Sequence, residues 1–339
     1  MTNWLKLTDE QRKATIDQAE QKSGISAKAI EKDWWVTLTL KALFGSRYAS
    51  YMVFKGGTSL SKCWKLIERF SEDIDIALAP EVFGMEYRDS PSKSRVDRLR
   101  RAGCSFTTNE LKAELSRQFE ALEVPANMVL IEAAPISDKF PDTDPQTLFV
   151  KYPSLYSPNR YLADEVKIEV SVRSLRVPYA SASVNSLLYE INPNQAYAEE
   201  EFFVEAVDPR KTFLEKIFLL HEEFKKPDTA KIKTERMSRH LYDLGKIMTT
   251  SFGGLALEDH DLYDNLIKHR QWYSRISWVD YSTLARKTIS FIPPEEIVQL
   301  FNQDYEQMQE QMIYGEALSF DDLIQQLKLL QKELRNTDN

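Results

Sequence analysis

The spacing of apolar positions changes character part-way along the chain. Up to about residue 205 helical and strand periods alternate, and from about Pro209 only the three-and-four spacing of helices remains. Thr8 and Gln11 form a capping-box pattern that opens a helix running to about Lys22. After Gly24, Ser26 is placed to cap a second helix, "AKAIEKDWWVTLTLKALF". "YMVFKGG" reads as a short buried strand ending in a glycine turn, "SLSKCWKLI" as a helix packed behind it, and "EDIDIAL" as an alternating strand. Residues 80–110 read as a polar, basic insertion of loop with some helix, and "ELKAELSRQFEALEV" as a helix from near Glu110. "NMVLIEAA", "TLFVKYPSL" and "EVKIEVSVRS" follow as strands. The second half predicts helices at "PRKTFLEKIFLLHEEF", "SRHLYDLGKIM", "LYDNLIKHRQWY", "PPEEIVQLFNQDYEQM" and "FDDLIQQLKLLQKEL". Pro209 falls in a first helical turn, where its missing N–H is not needed.

The expected organisation is an α/β domain over 1–205 and a mainly helical domain over 206–339. At 339 residues, with 42% apolar and 11% aromatic positions, the chain has ample material for two packed cores. No run of about eighteen apolar residues is present and the first residues hold no apolar signal core, which predicts a soluble, cytoplasmic protein without membrane attachment. Two isolated cysteines, Cys63 and Cys104, fit neither a zinc spacing nor a disulfide framework, and four scattered histidines argue against a His-built metal site. The net charge is −8, yet basic residues cluster at 88–101 and 225–240. Such clusters are either solvated faces or contacts for a polyanion.

The candidate chemistry lies on the "EDIDIAL" strand. Alternation puts Asp73 and Asp75 on one face with Ala77, and Ile74, Ile76 and Leu78 on the other. Two neighbouring carboxylates repel each other without a cation, and an oxygen-rich pair suits Mg²⁺ together with substrate phosphates; a pair of surface acids is the alternative. Upstream, "GGTSLSK" lets backbone N–H groups approach a phosphate, with Thr58 or Ser59 adding hydroxyl donors, or simply makes a tight strand-to-helix turn. In "EVKIEVSVRS", Lys167, Glu169, Ser171 and Arg173 share a strand face. If that strand neighbours the first, Glu169 becomes a third carboxylate, and three acids holding two divalent ions is a provision for in-line nucleotidyl transfer. Otherwise it is a charged, exposed sheet face. Lys216 on its amphipathic helix is able to reach the β- and γ-phosphates of a nucleotide. Arg236, Arg239, Asp243 and Lys246 share one helix face, where Arg239 and Asp243 also make an ordinary i,i+4 ion pair.

The segments "EKDWWVTLTLKALF", "FKGGTSLSKCW…RFSEDIDIAL", "VKYPSL", "EVKIEVSVRS", "DPRKTFLEKIFLLHEE" and "RHLYDLGKIM" occur in this order over about residues 30–250. The series resembles the AbiEii/AbiGii-type toxins, a branch of the DNA polymerase β-like nucleotidyltransferases. The resemblance implies an α+β fold, with a mixed-sheet nucleotidyltransferase domain and flanking helices followed by a helical carboxy-terminal domain. It further implies that Gly56, Gly57, Thr58 and Ser59 belong to the nucleotide-binding motif, with Ser71 as the small polar residue before the metal pair Asp73 and Asp75. Lys216 matches the lysine proposed to contact the triphosphate, Asp243 the acid of the following segment, and Glu169 the third acid of the broader fold. The expected activity is Mg²⁺-dependent, two-metal transfer of a nucleotide from an NTP to RNA, in particular the 3′ end of tRNA. The expected setting is toxin–antitoxin or abortive-infection defence against phage, with a cognate antitoxin as partner. Transfer to a protein, or a non-catalytic module that binds nucleotide or antitoxin, are the competing readings.

Overall fold

A computed structural model of the chain describes residues 2–136, 139, 141–157, 162–197 and 199–336. These form two compact units, one of residues 1–63 and 71–207, the other of residues 64–70 and 208–339. Segment 64–70 therefore packs with the helical half although it lies within the first half of the sequence.

The first unit contains α1 (Asp9–Ser23), α2 (Ala27–Phe44), β1 (Met52–Lys55), α3 (Gly56–Lys62), β2 (Ile74–Leu78), α4 (Lys93–Phe106), α5 (Lys112–Ala121), β3 (Leu130–Ala133), β4 (Gln146–Lys151), β5 (Glu165–Ser171), β6 (Tyr179–Val184), α6 (Leu187–Ile191) and β7 (Phe202–Val207). The capping box is present, with Thr8 Oγ1 accepting from Gln11 N and Gln11 Oε1 accepting from Thr8 N, and Gly24 ends α1 in the left-handed conformation. At α2 the expected cap differs. The Ser26 side chain makes no capping bond, and Glu20 Oε1 instead accepts from Ala27 N at 2.8 Å.

The seven strands make one mixed sheet in the order β3-β4-β5-β2-β1-β7-β6. The β2–β5 and β1–β7 pairs are parallel and the other pairs antiparallel. Strands β4 and β5 alternate strictly between buried and half-buried residues, as a sheet does when one face meets the core. Ile74, Ile76, Leu78, Leu148, Val150, Val166, Ile168 and Val170 fill the inner face, with α2 packed against β5 and α5 against β3. Two strands escape the pattern reading. The sequence of β6, "YASASV", alternates only Ala with Ser before Val184, a contrast too weak to mark a strand, and β7, "FFVEAV", lies just before the helical half.

The helix expected over "SLSKCWKLI" begins earlier and ends earlier than the pattern predicts, spanning Gly56–Lys62. Trp64–Phe70 leaves it for the second unit, after Lys65 takes a positive φ of 52°. There Trp64 rests edge-on to Phe252, and Phe70 N donates to Met312 O.

The second unit consists of α7 (Pro209–Phe224), α8 (Ser238–Met248), α9 (Ser251–Glu258), α10 (His260–Tyr273), α11 (Glu295–Gln311) and α12 (Phe320–Asn336), together with segment 64–70. Asp208 caps α7 at its Pro209 start, and Asp259 caps α10. Phe213, Phe218, Leu241, Leu244, Phe301 and Leu327 lie in its core with no exposed surface. No helix among the described residues is long and apolar enough to cross a membrane.

Candidate nucleotidyl-transfer site

On the first unit, Asp73 immediately precedes β2 and Asp75 lies within it. Both are half-buried, while Glu72, Ile74 and Ile76 between and beside them are buried. The face that the sequence assigned to the two aspartates is thus the outer, accessible one. Asp75 stands opposite Lys55 of β1 on one side and opposite Glu169 of β5 on the other. The condition attached to Glu169, that its strand neighbour the first, is met.

Gly56 has φ +80°, and a Cβ there would lie 2.1 Å from Asp75 Oδ2. Only glycine allows the chain to turn into α3 while passing this close to the carboxylate. Thr58 and Ser59 are buried and their hydroxyls are engaged within the protein. Thr58 Oγ1 donates to Asp73 O at 2.5 Å and accepts from Ser71 Oγ at 2.8 Å, and Ser59 Oγ donates to Gly56 O at 3.0 Å. Thr58 and Ser71 thereby pin the backbone that presents Asp73. Gly57 follows Gly56 in the first turn of α3.

Helix α2 supports the same region through charges rarely buried without partners. Lys32 bonds to Glu72 at 2.6 Å, next to Asp73, and Asp33 bonds to Lys62 at the end of α3 at 2.6 Å. Asp33 also accepts from Leu187 N, and Glu31 accepts from Ser154 Oγ and Leu155 N. The quoted "EKD" is therefore a row of anchors. The sequence signal was visible as three consecutive charges inside an apolar helix, though their partners were not.

The donor set fits a hard divalent cation, being two half-buried carboxylates at the start of a sheet strand. Among the described residues no group of three His, Cys, Asp or Glu side chains converges on a metal position. Glu169 Oε1 is held instead by Lys167 Nζ at 2.6 Å. Burial alone would push the Lys167 ammonium down, but the bond to Glu169 and the charges of Glu169, Asp73 and Asp75 outweigh it and raise its pKa.

On the second unit, the Asp243 carboxylate is fully buried at the centre of a cationic cluster. Arg69 grips it with a two-pronged pair, Nε to Oδ1 and Nη2 to Oδ2, both at 2.7 Å. Lys216 Nζ lies 2.8 Å from Oδ2. Burial pushes the Asp243 carboxyl up, yet Arg69 and Lys216 overcome it and hold it well below the usual carboxylate range. Lys216 shifts down, because burial and the charges of Arg69 and Arg239 exceed the pull of Asp243. His240 is driven well below its ordinary value by burial and by Lys216 and Arg239, so its ring is neutral. Its Nδ1 lies 3.3 Å from Lys216 Nζ and, since an ammonium only donates, acts as the acceptor.

The structure pairs Lys216 directly with Asp243, where the sequence pattern pointed to Arg239 as the neighbour of that acid, and brings Arg69 and His240 to the same cluster. Arg69 gave no local signal, because its carboxylate is 174 positions away.

A protein-family model, "Nucleotidyl transferase AbiEii toxin, Type IV TA system", matches residues 39–326. The chain belongs to the AbiEii family of nucleotidyltransferase toxins. It is accordingly a nucleotidyltransferase of the toxin–antitoxin class, a family whose substrates are NTPs and whose members have an antitoxin partner. No curated protein matches it. Among solved structures, MenT4, a nucleotidyltransferase toxin from Mycobacterium tuberculosis H37Rv, is similar at 15% identity and a TM-score of 0.43, covering 94% of this chain and 97% of that one. Similarity at this level carries no argument about residues or substrate.

Proposed function

We propose that this AbiEii-family chain transfers a nucleoside monophosphate from an NTP to RNA, with the 3′ end of tRNA as acceptor, and that it requires Mg²⁺. The acceptor oxygen forms a bond to the α-phosphorus as the bond to pyrophosphate breaks, so that NTP and RNA–OH give RNA–NMP, pyrophosphate and one proton. Asp73 and Asp75 would hold the ion, which when bound neutralises phosphate charge and lowers the pKa of the attacking hydroxyl. Gly56 keeps the space beside Asp75 clear, and Thr58 with Ser71 fixes the backbone at Asp73. Gly57 and Ser59 complete the turn that would carry the nucleotide. Lys216 would grip the triphosphate. Its ammonium meets the Asp243 carboxylate alongside the Arg69 guanidinium.

The observation that supports RNA as acceptor is the outer face of α4. Val96, Leu99, Cys104 and Phe106 are buried on its inner side, while Lys93, Arg98 and Arg101 are exposed to solvent. A strongly basic face on a protein of net charge −8 is a natural contact for a phosphate backbone. In the second unit Lys225, Lys231, Lys233 and Arg236 are likewise exposed.

The test is incubation of the protein with total bacterial RNA, Mg²⁺ and each α-³²P-NTP in turn. Label in a tRNA-sized band is expected. Label on a protein band and none on RNA would move the acceptor to a protein.

A further inference from the structure

We propose that Lys55 is a further substrate-binding residue of the nucleotidyl-transfer site, its ammonium engaging the phosphate chain of the NTP beside Asp75. The inference rests on the reading of Asp73 and Asp75 as metal ligands and extends that site onto β1.

Antiparallel pairing sets Lys55, the last residue of β1, directly opposite Asp75. Residues opposite each other in such a pair point to the same face of the sheet, with Cβ atoms about 5 Å apart. Lys55 therefore stands on the outer face with Asp75, and Glu169 continues the row on β5. A lysine side chain outreaches an aspartate, so an ammonium rooted level with Asp75 is able to extend past that carboxylate towards phosphates held beside it. Lys55, Gly56 and Gly57 are half-buried in succession, and the two glycines put no side chain in the way.

Position and pairing both set Lys55 apart from an ordinary surface lysine. Strand β1 has β2 on one side and β7 on the other, so Lys55 is not a charge that guards an open sheet edge. The neighbouring lysines are committed to the protein: Lys32 bonds to Glu72, Lys62 to Asp33 and Lys167 to Glu169, each at 2.6 Å. The Lys55 ammonium, by contrast, makes no hydrogen bond or ion pair with any described residue, Asp75 opposite it included. A partly buried ammonium without a counter-charge is uncommon in a folded protein. The phosphates of an NTP supply that charge, and lysine binds phosphate as a point charge whose long stem needs no fixed approach angle.

The test begins on the wild type, so that no variant has to fold. Lysines are reductively methylated with and without a non-hydrolysable α,β-methylene NTP in Mg²⁺, and each site is read by mass spectrometry. Lys55 is expected to react in the free protein and to be protected several-fold by the nucleotide, whereas Lys151, an exposed lysine of the same sheet, reacts equally in both. Titration calorimetry with the same nucleotide then compares variants of matched circular dichroism. Lys55→Met should lose about tenfold or more in affinity, with a shallower fall of affinity as salt is added, and Lys55→Arg should stay close to wild type. Equal methylation of Lys55 with and without nucleotide, or unchanged affinity in Lys55→Met, would overturn the proposal while leaving the aspartates as metal ligands. No binding of any of the four nucleotides to the wild type would overturn the reading of the site itself, and Lys55 with it.

Discussion

Replacing Arg69 by methionine removes two charged hydrogen bonds, each 2.7 Å long, from a carboxylate with no exposed surface. Stripping one partner from a buried ion pair costs about 3–5 kcal/mol. Lys216 remains 2.8 Å from the same carboxylate, which places Arg69→Met at the low end, about 3 kcal/mol at neutral pH. The cost has a pH signature. Asp243 in the folded protein titrates well below an unfolded aspartate, so its pairing contributes fully above about pH 4 and is lost as pH falls from there towards the folded pKa. In Arg69→Met only Lys216 opposes burial, the folded pKa rises, and this contribution largely disappears. The stability gap between the two proteins therefore narrows below about pH 4, whereas a gap caused by lost packing would not. Urea unfolding followed by far-ultraviolet circular dichroism reads it directly. With a slope of about 3 kcal/mol per molar, the midpoint should drop by about 1 M at neutral pH and by clearly less at about pH 2. Arg69→Lys keeps the charge but not the fork and should fall between. A gap below about 1 kcal/mol at neutral pH, or an equal gap at both pH values, would refute the reasoning.

Other expectations follow from the same geometry. Gly56→Ala must push Asp75 Oδ2 away from a Cβ that would sit 2.1 Å from it; a carboxylate misplaced by about 1 Å should cost roughly 10²-fold in transfer rate, with backbone strain of about 1–3 kcal/mol in stability. A Gly56→Ala rate within threefold of wild type would contradict that role. Lys32→Met leaves Glu72 without its 2.6 Å partner beside Asp73 and should lower kcat more than it raises the KM for NTP; the reverse split would assign Lys32 to binding. Lys93→Glu with Arg98→Glu should weaken RNA binding and reduce the slope of log affinity against log salt by about 1–2, while leaving NTP binding unchanged.

Much of the fold was legible because its elements are locally determined. The capping box at Thr8, the alternation of β5 and the Pro209 start of α7 each announce themselves within a few residues. Strands β6 and β7 did not, since their pairing is set by sheet position, the Ala/Ser alternation of β6 carries little hydrophobic contrast and β7 does not alternate. The early end of α3 was hidden for a related reason. Trp64–Phe70 has the composition of a helix flank, but its stabilising contacts, Arg69 with Asp243, Glu68 with Lys246 and Trp64 with Phe252, lie about 170–190 residues away. Of the proposed site, the Asp73–Asp75 pair and Lys216 stand out as candidates by residue type and spacing. The duties of Thr58 and Ser59 differ from the expected phosphate contacts, because burial commits their hydroxyls to the protein. Arg69 and the anchoring row on α2 depend on contacts distant in sequence, which no local pattern encodes.

The proposed nucleotide transfer depends on the carboxylates of Asp73 and Asp75. The most direct measurement compares wild type with Asp73→Asn and Asp75→Asn for α-³²P incorporation into total bacterial RNA, at matched circular dichroism spectra. Asparagine keeps the shape and removes the charge, so each substitution should reduce incorporation at least about 10³-fold with the fold intact. Either variant labelling RNA at the wild-type rate would contradict the account.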